Sequence, residues 1–203
     1  MASRTTTVAV VALIGFGAYA APKTLDRFGT FLGGLVGAND AVVIGEGEGA
    51  LMVAANAEAK LVNCERAAIL AQRSCDGLRI LIVEAAKVPF IARNTKLAWE
   101  SGLPAVLTMD RGRQVANRKQ ACGKFTRGHG GQCDEYPMAS TRQGGAGART
   151  EEVPARENLC QGGSYRHQYP PDGEQFLVVV SRPDLIASGS FTGTDIAVDQ
   201  GCR

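Results

Sequence analysis

The spacing of apolar and polar residues changes along the chain and predicts its domain organisation. An apolar run at 8–18 is followed by a stretch rich in glycine and alanine that ends near residue 63. After it, short apolar runs alternate with polar runs and with glycine or proline, a pattern typical of a folded domain. We therefore predict one domain at 64–182, followed by an irregular tail at 183–203.

The same spacing predicts the order of helices and strands in this domain. Continuous apolar runs indicate buried strands, and apolar positions every three or four residues indicate helices. Gly162 and Gly163 are expected to break the last helix. The order implies a compact α+β domain with these elements: strands at 78–85, 104–110 and 174–181, and helices at 91–102, at 111–122 and from Pro154 onward.

The first twenty residues, 1–20, have the features of a secretory signal peptide. Arg4 supplies a positive charge, the run at 8–18 is apolar, and Ala18-Tyr19-Ala20 is a small-x-small cleavage site. The apolar run is short for a membrane span, which needs about 20 residues, so a retained anchor is the less favoured alternative. The sequence thus predicts a secreted, extracellular protein with no stable membrane association.

Residues 21–63 are predicted to be a Gly/Ala-rich linker or a propeptide. The segment GEGEG at 45–49 has the glycines of a phosphate-binding loop. It lacks the Lys-Ser/Thr pair of such loops and places carboxylates where phosphate would bind. We therefore interpret it as a flexible connection.

The six cysteines favour disulfide bonds over a zinc site. No two of them have the CxxC spacing, and the chain has only two histidines, so a zinc ligand set is not indicated. Disulfides are typical of an oxidising compartment, which agrees with export. Six cysteines allow many pairings and spacing does not choose among them, but proximity along the chain favours Cys64–Cys75 and Cys122–Cys133, which leaves Cys160 with Cys202.

Charge is distributed unevenly along the chain. The formal net charge is only +2, which argues against a protein that coats a polyanion. Residues 110–168 nevertheless contain ten Lys or Arg residues against six Asp or Glu residues. A weakly basic face around a small acidic cluster suits a polyanionic substrate that is bound through a cation. The alternative, which composition alone favours, is a solvated surface of mixed charge.

Two adjacent carboxylates, Asp134 and Glu135, lie in the segment QCDEYPMASTRQGG at 132–145. Pro137 disfavours helical backbone at Tyr136, so the segment is expected to be extended and stiff. Neighbouring side chains of an extended segment point to opposite sides, so one carboxylate can face a site while the other orients a partner. The ordinary alternative is that the two acids cap the N-terminus of a helix.

Other polar residues indicate chemistry on a phosphodiester. Asp110 ends a predicted strand, Glu157 and Asn158 lie in the last predicted helix, and Arg111 and Arg118 carry guanidinium groups suited to phosphate. Carboxylates repel phosphate unless a hard divalent cation such as Mg²⁺ lies between them. This set of residue types is what metal-assisted hydrolysis of a phosphodiester requires.

The base that activates water is the remaining question. His129 and His167 are the only histidines, and either could accept a proton near neutral pH. His129 lies between glycines in a predicted exposed loop, so His167 is the better candidate, although a structural or phosphate-binding role suits it as well. Ser140 and Thr141 lack a neighbouring base and are weak candidates for a nucleophile.

Several sequence blocks resemble the NucA/NucB family of secreted deoxyribonucleases. They are CDEYPMAST followed by QGG, then VPARENLCQGG and DGEQFLVVV, with MDRGRQVANRKQAC upstream. The blocks extend from about Leu103 to Val180 and have a similar order and spacing in that family. This ordered set is far more specific than an Asp-Glu pair alone.

The resemblance implies a small mixed α+β domain with a ββα-metal-like nuclease core, stabilised by disulfides. It implies a metal-dependent endonuclease, with Mg²⁺ or Mn²⁺, that hydrolyses DNA with little sequence specificity. An aspartate would then stand where related nucleases have a histidine base. We expect such a protein to act as a monomer. The alternatives are a catalytically inactive, disulfide-stapled binding module on the same scaffold and a toxin-like effector nuclease.

The resemblance also implies roles for individual residues. Asp134 would activate water beside the metal, Glu135 would support it, and Glu157 and Asn158 would bind or orient the metal. Phosphate contacts by the arginines follow from residue chemistry rather than from a motif. The predicted site comprises catalytic Asp134, Glu135 and His167, metal-binding Asp134, Glu157 and Asn158, and phosphate-binding Arg111, Arg118 and Gln161.

Overall fold

A computed structural model describes residues 39–202, so the signal peptide predicted at 1–20 lies outside the described residues. The strands in chain order are β1 (Ala41–Ile44), β2 (Leu51–Ala54), β3 (Ser74–Cys75), β4 (Leu78–Glu84), β5 (Val106–Thr108), β6 (Gln132–Tyr136), β7 (Arg149–Val153) and β8 (Gln175–Ser181). The α-helices are α1 (Arg66–Gln72), α2 (Pro89–Glu100), α3 (Gln114–Cys122) and α4 (Ala155–Arg166).

Strand β8 is the centre of a six-stranded mixed sheet with the order β1-β2-β8-β4-β3. It pairs in parallel with β4, whereas β2 and β5 both pair antiparallel with it, along different parts of its length. Its apolar run, Phe176 to Val180, is fully buried. A continuous apolar run is expected for a strand that is covered on both faces.

Helix α2 lies between this sheet and a separate two-stranded hairpin formed by β6 and β7. It packs on β1, β2 and β4 on one side and on β6 and β7 on the other. Most of its residues are therefore buried, and these include the polar side chains of Asn94 and Thr95. A polar side chain that is buried in this way needs a hydrogen-bond partner inside the protein. For Asn94 that partner lies in the hairpin.

The α+β fold class is confirmed, and the predicted strands at 78–85, 104–110 and 174–181 correspond to β4, β5 and β8. The helices predicted at 91–102 and 111–122 correspond to α2 and α3. The predicted break at Gly162 and Gly163 is wrong, because α4 continues to Arg166. Each glycine costs a helix about 1 kcal/mol, and the burial of Tyr165 in the turn beyond them offsets that cost.

The linker predicted at 21–63 needs a correction in its described part. Strands β1 and β2 form a hairpin, and β2 pairs with β8 in the central sheet. All four side chains of β2 are buried in the core. Residues 41–54 are therefore part of the folded domain. The apolar residues of β2 were not recognised as a strand because the surrounding segment is rich in glycine and alanine.

Three disulfides confirm the two local pairs and the remaining pair that the sequence predicted. Cys64–Cys75 connects the approach to α1 with β3, Cys122–Cys133 connects α3 with β6, and Cys160–Cys202 connects α4 with the end of the described chain. After a 3-10 turn at Pro183–Leu185 the tail is irregular. Cross-links of this kind restrict the unfolded chain and so stabilise the folded one.

The helices within residues 39–202 are all too short or too polar to cross a membrane. The longest, α2 and α4, contain 12 residues each. This observation concerns the described part of the chain only.

Two buried tyrosines provide a test of the packing between α2 and the hairpin. The Tyr136 hydroxyl accepts a hydrogen bond from Trp99 Nε1 (2.8 Å) and donates one to the Pro104 carbonyl (3.0 Å). The buried Tyr165 hydroxyl makes no hydrogen bond of comparable geometry among the described residues, although the Gln161 amide lies beside it. We expect Tyr136→Phe to lower the free energy of unfolding by about 1–3 kcal/mol, because two buried polar groups lose their partner.

Tyr165→Phe is the matched comparison for this prediction, since its hydroxyl makes only a poorly aligned contact with the Gln161 amide. Its loss in the free energy of unfolding should be smaller than that of Tyr136→Phe. Urea denaturation of both variants, compared at equal m-value, measures the difference. Equal losses in the two variants would contradict this account of the interface.

Candidate active site

The carboxylate of Asp134 is held inside the protein between α2 and α4. Asp134 lies in the middle of β6 and is only 2% exposed. Asn94 of α2 donates a hydrogen bond from Nδ2 to Asp134 Oδ2 (2.8 Å), and the Gln161 amide of α4 lies beside the same carboxylate. Two helices thus fix the position of one acidic side chain.

Glu157 fixes the start of α2. Its Oε2 accepts hydrogen bonds from the backbone N–H groups of Phe90 (3.0 Å) and Ile91 (3.1 Å), which lie in the first turn of that helix. The first N–H groups of a helix have no partner within it, so a carboxylate is favourable there. Asn94 lies one turn further along α2, so Glu157 also determines where Asn94 meets Asp134.

The second oxygen of Glu157 has no hydrogen-bond partner among the described residues, although Glu157 is fully buried. Glu157 and Gln161 are four residues apart in α4 and therefore lie on the same face of the helix. Gln161 lies beside Asp134, so the face of α4 that carries Glu157 is also the face that meets Asp134.

Charged residues of β7 and α2 surround Asp134 on the same face of the hairpin. Glu151 of β7 is directly opposite Asp134 in the antiparallel register. Arg149 donates from Nη1 to Glu151 Oε2 (2.7 Å) and to Asn94 Oδ1, and Arg93 donates to the other oxygen of Glu151. Asp134 is therefore one end of a continuous polar network.

Glu135 points to the opposite face of the hairpin, as expected for the neighbour of Asp134 in a strand. Arg118 of α3 donates from Nη1 to both carboxylate oxygens of Glu135 (2.9 Å each) and from Nη2 to the Cys133 carbonyl (3.2 Å). The Cys122–Cys133 disulfide joins α3 to this same face. Arg118 thus holds Glu135, and its predicted contact with phosphate stays a prediction.

Burial raises the pKa of three carboxyl groups around the site. It raises the pKa of Asp134 to about 6, against the lowering effect of the Asn94 and Gln161 amides. It raises the pKa of Glu135 to about 7, and the charge of Asp134 contributes to this shift. Burial also raises the pKa of Glu157 to about 8, although two backbone N–H groups oppose it. A carboxylate with a pKa near 6 is a much better proton acceptor than an ordinary aspartate.

The other predicted site residues lie at different distances from Asp134. Asn158 donates to Gln132 Oε1 (2.8 Å) on the Asp134 face of the hairpin, one turn before Gln161 in α4. Arg111 is bound elsewhere, because it donates to Asp172 Oδ1 (2.7 Å) and to the Pro170 carbonyl (3.0 Å). Asn158 thus lies on the Asp134 face of the hairpin, whereas Arg111 forms an ion pair with Asp172, and the roles predicted for both residues stay predictions.

His167 is not brought to Asp134 by the fold. It is exposed at the end of α4 and lies two residues after Tyr165, whose buried ring is close to Asp134. Positions two apart in a helix face opposite sides, so His167 points away from the site. Its neighbour Gln168 is buried. Gln168 accepts a hydrogen bond from the Ile82 N–H (2.8 Å) and donates one to the Ile82 carbonyl (3.3 Å). At Ile82 this edge of β4 has no partner strand within the described chain, because β3 pairs only with the start of β4.

Residue types and motifs in the sequence did not indicate Arg93, Asn94, Arg149 or Glu151. Asn94 was within a predicted helix but carried no motif, and Arg149 and Glu151 lie in a segment without a predicted strand. The alternation in RTEEV at Arg149–Val153 was a usable signal, because it places Arg149, Glu151 and Val153 on one face of a strand. Only the pairing with β6 shows that this face is also that of Asp134.

The raised pKa values predict how stability depends on pH. An acid whose pKa is higher in the folded state binds its proton more tightly there, so folding is favoured at low pH and loses this contribution as pH rises through the folded pKa. We therefore expect the free energy of unfolding, measured with urea in EDTA, to fall as the pH rises from about 4 to about 8. Burial of Asp134, Glu135 and Glu157 is the cause.

Glu157→Gln should make this fall shallower in its upper part, because glutamine does not titrate. Glu174→Gln, at an exposed position just before β8, is the control and should keep the wild-type slope. A Glu157→Gln variant with the full wild-type slope would contradict the assignment of the shift to this residue.

Comparisons with known proteins agree with this geometry. The model of the family described as Deoxyribonuclease NucA/NucB matches residues 93–179, which include Asn94, Asp134, Glu151 and Glu157. The DNA-entry nuclease of Bacillus subtilis (strain 168) is 30% identical over 96 residues, which is 46% of this chain and 65% of the relative. The chain thus spans less than two thirds of that protein's length. Residues 93–179 of this chain are thus similar to the deoxyribonuclease NucA/NucB family.

Proposed function

We propose that this protein is a metal-dependent endonuclease that hydrolyses DNA phosphodiester bonds with little sequence specificity. The observation that carries the proposal is Asp134, a buried carboxylate with a raised pKa that two helices hold in place. The match of residues 93–179 to the NucA/NucB family model and the similarity to a DNA-entry nuclease support it. Glu135, on the other face, would position β6 through Arg118 and would not contact the substrate.

Asp134 would act as the base. A water molecule attacks phosphorus, its proton passes to the Asp134 carboxylate, and the bond from phosphorus to the leaving oxygen breaks as the new P–O bond forms. Asn94 would keep the carboxylate oriented through its hydrogen bond to Oδ2. The leaving oxygen then takes up a proton from solvent.

The residues around Asp134 fit a hard divalent cation. Among residues 39–202, the groups of three or more His, Cys, Asp or Glu side chains close enough to share an ion each contain both cysteines of a disulfide, so they do not suit a metal. Mg²⁺ needs only one or two carboxylates together with water and phosphate. Asp134 and Glu157 would supply them, since Glu157 Oε1 is buried without a partner, and Asn158 would add an amide oxygen.

Such an ion, Mg²⁺ or Mn²⁺, would lower the pKa of water and offset the charge of the phosphate. It would also favour the ionised forms of Asp134 and Glu157, whose burial otherwise favours the neutral forms. We further propose that the protein is secreted and monomeric. The three disulfides support an oxidising compartment, and the predicted signal peptide at 1–20 agrees with it.

A plasmid-nicking assay tests the proposal. We expect the wild-type protein to cleave supercoiled plasmid with Mg²⁺ or Mn²⁺ and to stop in EDTA. Asp134→Asn should lower the rate by a factor on the order of 100 or more, because asparagine accepts no proton. Asp184→Asn, the same change at an exposed residue paired with Arg182, should cleave as the wild type does.

Failure to cleave plasmid with any divalent metal would overturn the proposed function. If that protein still bound DNA, the binding module on the same scaffold would be favoured instead. Full activity of a folded Asp134→Asn variant would refute the assignment of the base while leaving the similarity to the family intact.

Metal binding has its own test in the thermal stability of the protein. Mn²⁺ should raise the unfolding temperature of the wild type, because a ligand that binds only the folded state stabilises it. The rise should be smaller or absent in Glu157→Gln and retained in Glu174→Gln. The comparison uses the shift caused by the ion within each variant, so a lower starting stability does not affect it. An equal shift in all three proteins would exclude Glu157 as a ligand.

A further inference from the structure

We propose that Arg93 and Arg149 bind the scissile phosphate beside Asp134, and that Glu151 holds both guanidinium groups in place when no substrate is bound. The inference rests on the proposed function and names the phosphate contacts of the same site. It differs from the assignment that the sequence favoured, which gave this role to Arg111 and Arg118.

The register of the hairpin places this cluster next to the proposed base. Asp134 and Glu151 are directly opposite each other in β6 and β7. Side chains at opposite positions of an antiparallel pair have Cβ atoms about 4.5–5.5 Å apart. Arg149 lies two residues before Glu151 in β7 and therefore on the same face. The cluster and Asp134 thus share one side of the hairpin.

Both arginines converge on one carboxylate. Arg93 donates to Glu151 Oε1, and Arg149 donates to Glu151 Oε2 (2.7 Å) and to Asn94 Oδ1. Asn94 in turn donates to Asp134. Because Asn94 contacts both, the Arg149 guanidinium and the Asp134 carboxylate are separated by a single amide group.

The arginines are also the members of the cluster that reach solvent. Their side chains are 19% and 28% exposed, whereas Glu151 is 7% exposed. Asp134 is 2% exposed. A phosphate that approaches from solvent therefore meets the two guanidinium groups before it meets either carboxylate.

Donors for a phosphate remain on both arginines. The contacts with Glu151 and Asn94 use the Nη1 atoms, and a guanidinium group carries five N–H donors. The planar arrangement of these donors matches two phosphate oxygens. Positive charge is also required here, because Asp134 and Glu151 would otherwise repel a phosphodiester, and it would stabilise the charge that develops in the transition state.

The two arginines favoured by the sequence are held by other groups. Arg118 lies on the opposite face of the hairpin, where Glu135 accepts from it with both oxygens. Arg111 is bound to Asp172 and to the Pro170 carbonyl. The charge of Arg118 lowers the pKa of Asp134, but neither arginine has a hydrogen bond to Asp134, Asn94 or Glu151 among residues 39–202.

Cleavage of a small phosphodiester separates local phosphate contacts from general attraction to DNA. With bis(p-nitrophenyl) phosphate and with plasmid, Arg93→Gln and Arg149→Gln should each lower kcat by about 100-fold, the usual cost of losing one preorganised donor. Arg149→Lys should lie between Arg149→Gln and the wild type, because lysine keeps the charge but lacks the fork. Arg79→Gln, at an exposed position of β4, is the control and should keep the wild-type kcat.

A binding measurement distinguishes phosphate contact from a purely structural effect on Asp134. In an Asp134→Asn background, calorimetry with a dithymidine phosphorothioate should show weaker binding when Arg93→Gln or Arg149→Gln is added. Glu151→Gln in the same background should bind the probe at least as tightly as its parent, because it removes the carboxylate that competes for the two arginines.

Unchanged probe binding in both arginine variants, or weaker binding in Glu151→Gln, would overturn the inference. Its failure and that of the proposed function have different signatures. Arginine variants that cleave as fast as a cleaving wild type refute the inference alone. A wild type that cleaves nothing with Mg²⁺ or Mn²⁺, but whose probe binding depends on Arg93 and Arg149, refutes the proposed function alone.

Discussion

A buried carboxylate is the constraint on which the rest of this structure depends. Removal from water favours the neutral form of Asp134, and without compensation the group would be inert at neutral pH. The protein compensates with neutral amides rather than with a direct ion pair, since Asn94 and Gln161 are the polar groups next to it. Amides lower the pKa less than a contacting cation would, so the carboxylate remains basic enough to accept a proton.

Holding these amides in place accounts for much of the surrounding architecture. Asn94 belongs to a helix that is buried between the sheet and the hairpin, and Glu157 fixes the first turn of that helix. Gln168 fastens the far end of α4 to the open edge of β4. The β4–β8 sheet therefore acts on the site indirectly, by fixing the two helices that contact Asp134.

The two faces of the β6–β7 hairpin make different contacts. The face with Asp134 and Glu151 carries the polar network and contacts α2 and α4. The face with Cys133 and Glu135 is joined to α3 by a disulfide and by the Arg118 ion pair. Helix α3 thus holds the hairpin through the face that carries Cys133 and Glu135. Among the described residues, the face that carries Asp134 therefore has no contact with α3 that would block access to the site.

Local patterns in the amino-acid sequence predicted the strands β4, β5 and β8, the helices α2 and α3, two local disulfide pairs and the resemblance to the NucA/NucB family. These features depend on residues close together in the chain or on motifs of several residues. Asp134 was found in the same way, through the block around it. Strands β1 and β2 were not predicted, because their short apolar runs lie in a segment rich in glycine and alanine. Only the pairing of β2 with β8 shows that these runs are strands.

Tertiary structure alone decided which polar residues meet Asp134. Asn94 and Glu151 are 40 and 17 residues away in the chain, and no local pattern links them to it. The register of β6 with β7 brings Glu151 and Arg149 to the face of Asp134, and the burial of α2 brings Asn94. His167 and Arg118 have suitable chemistry. However, His167 is exposed at the end of α4, and Arg118 of α3 binds Glu135 on the opposite face of the hairpin. The residue types in the sequence indicate which groups can react. Strand pairing and helix packing determine the distances between those groups, and reactivity depends on these distances.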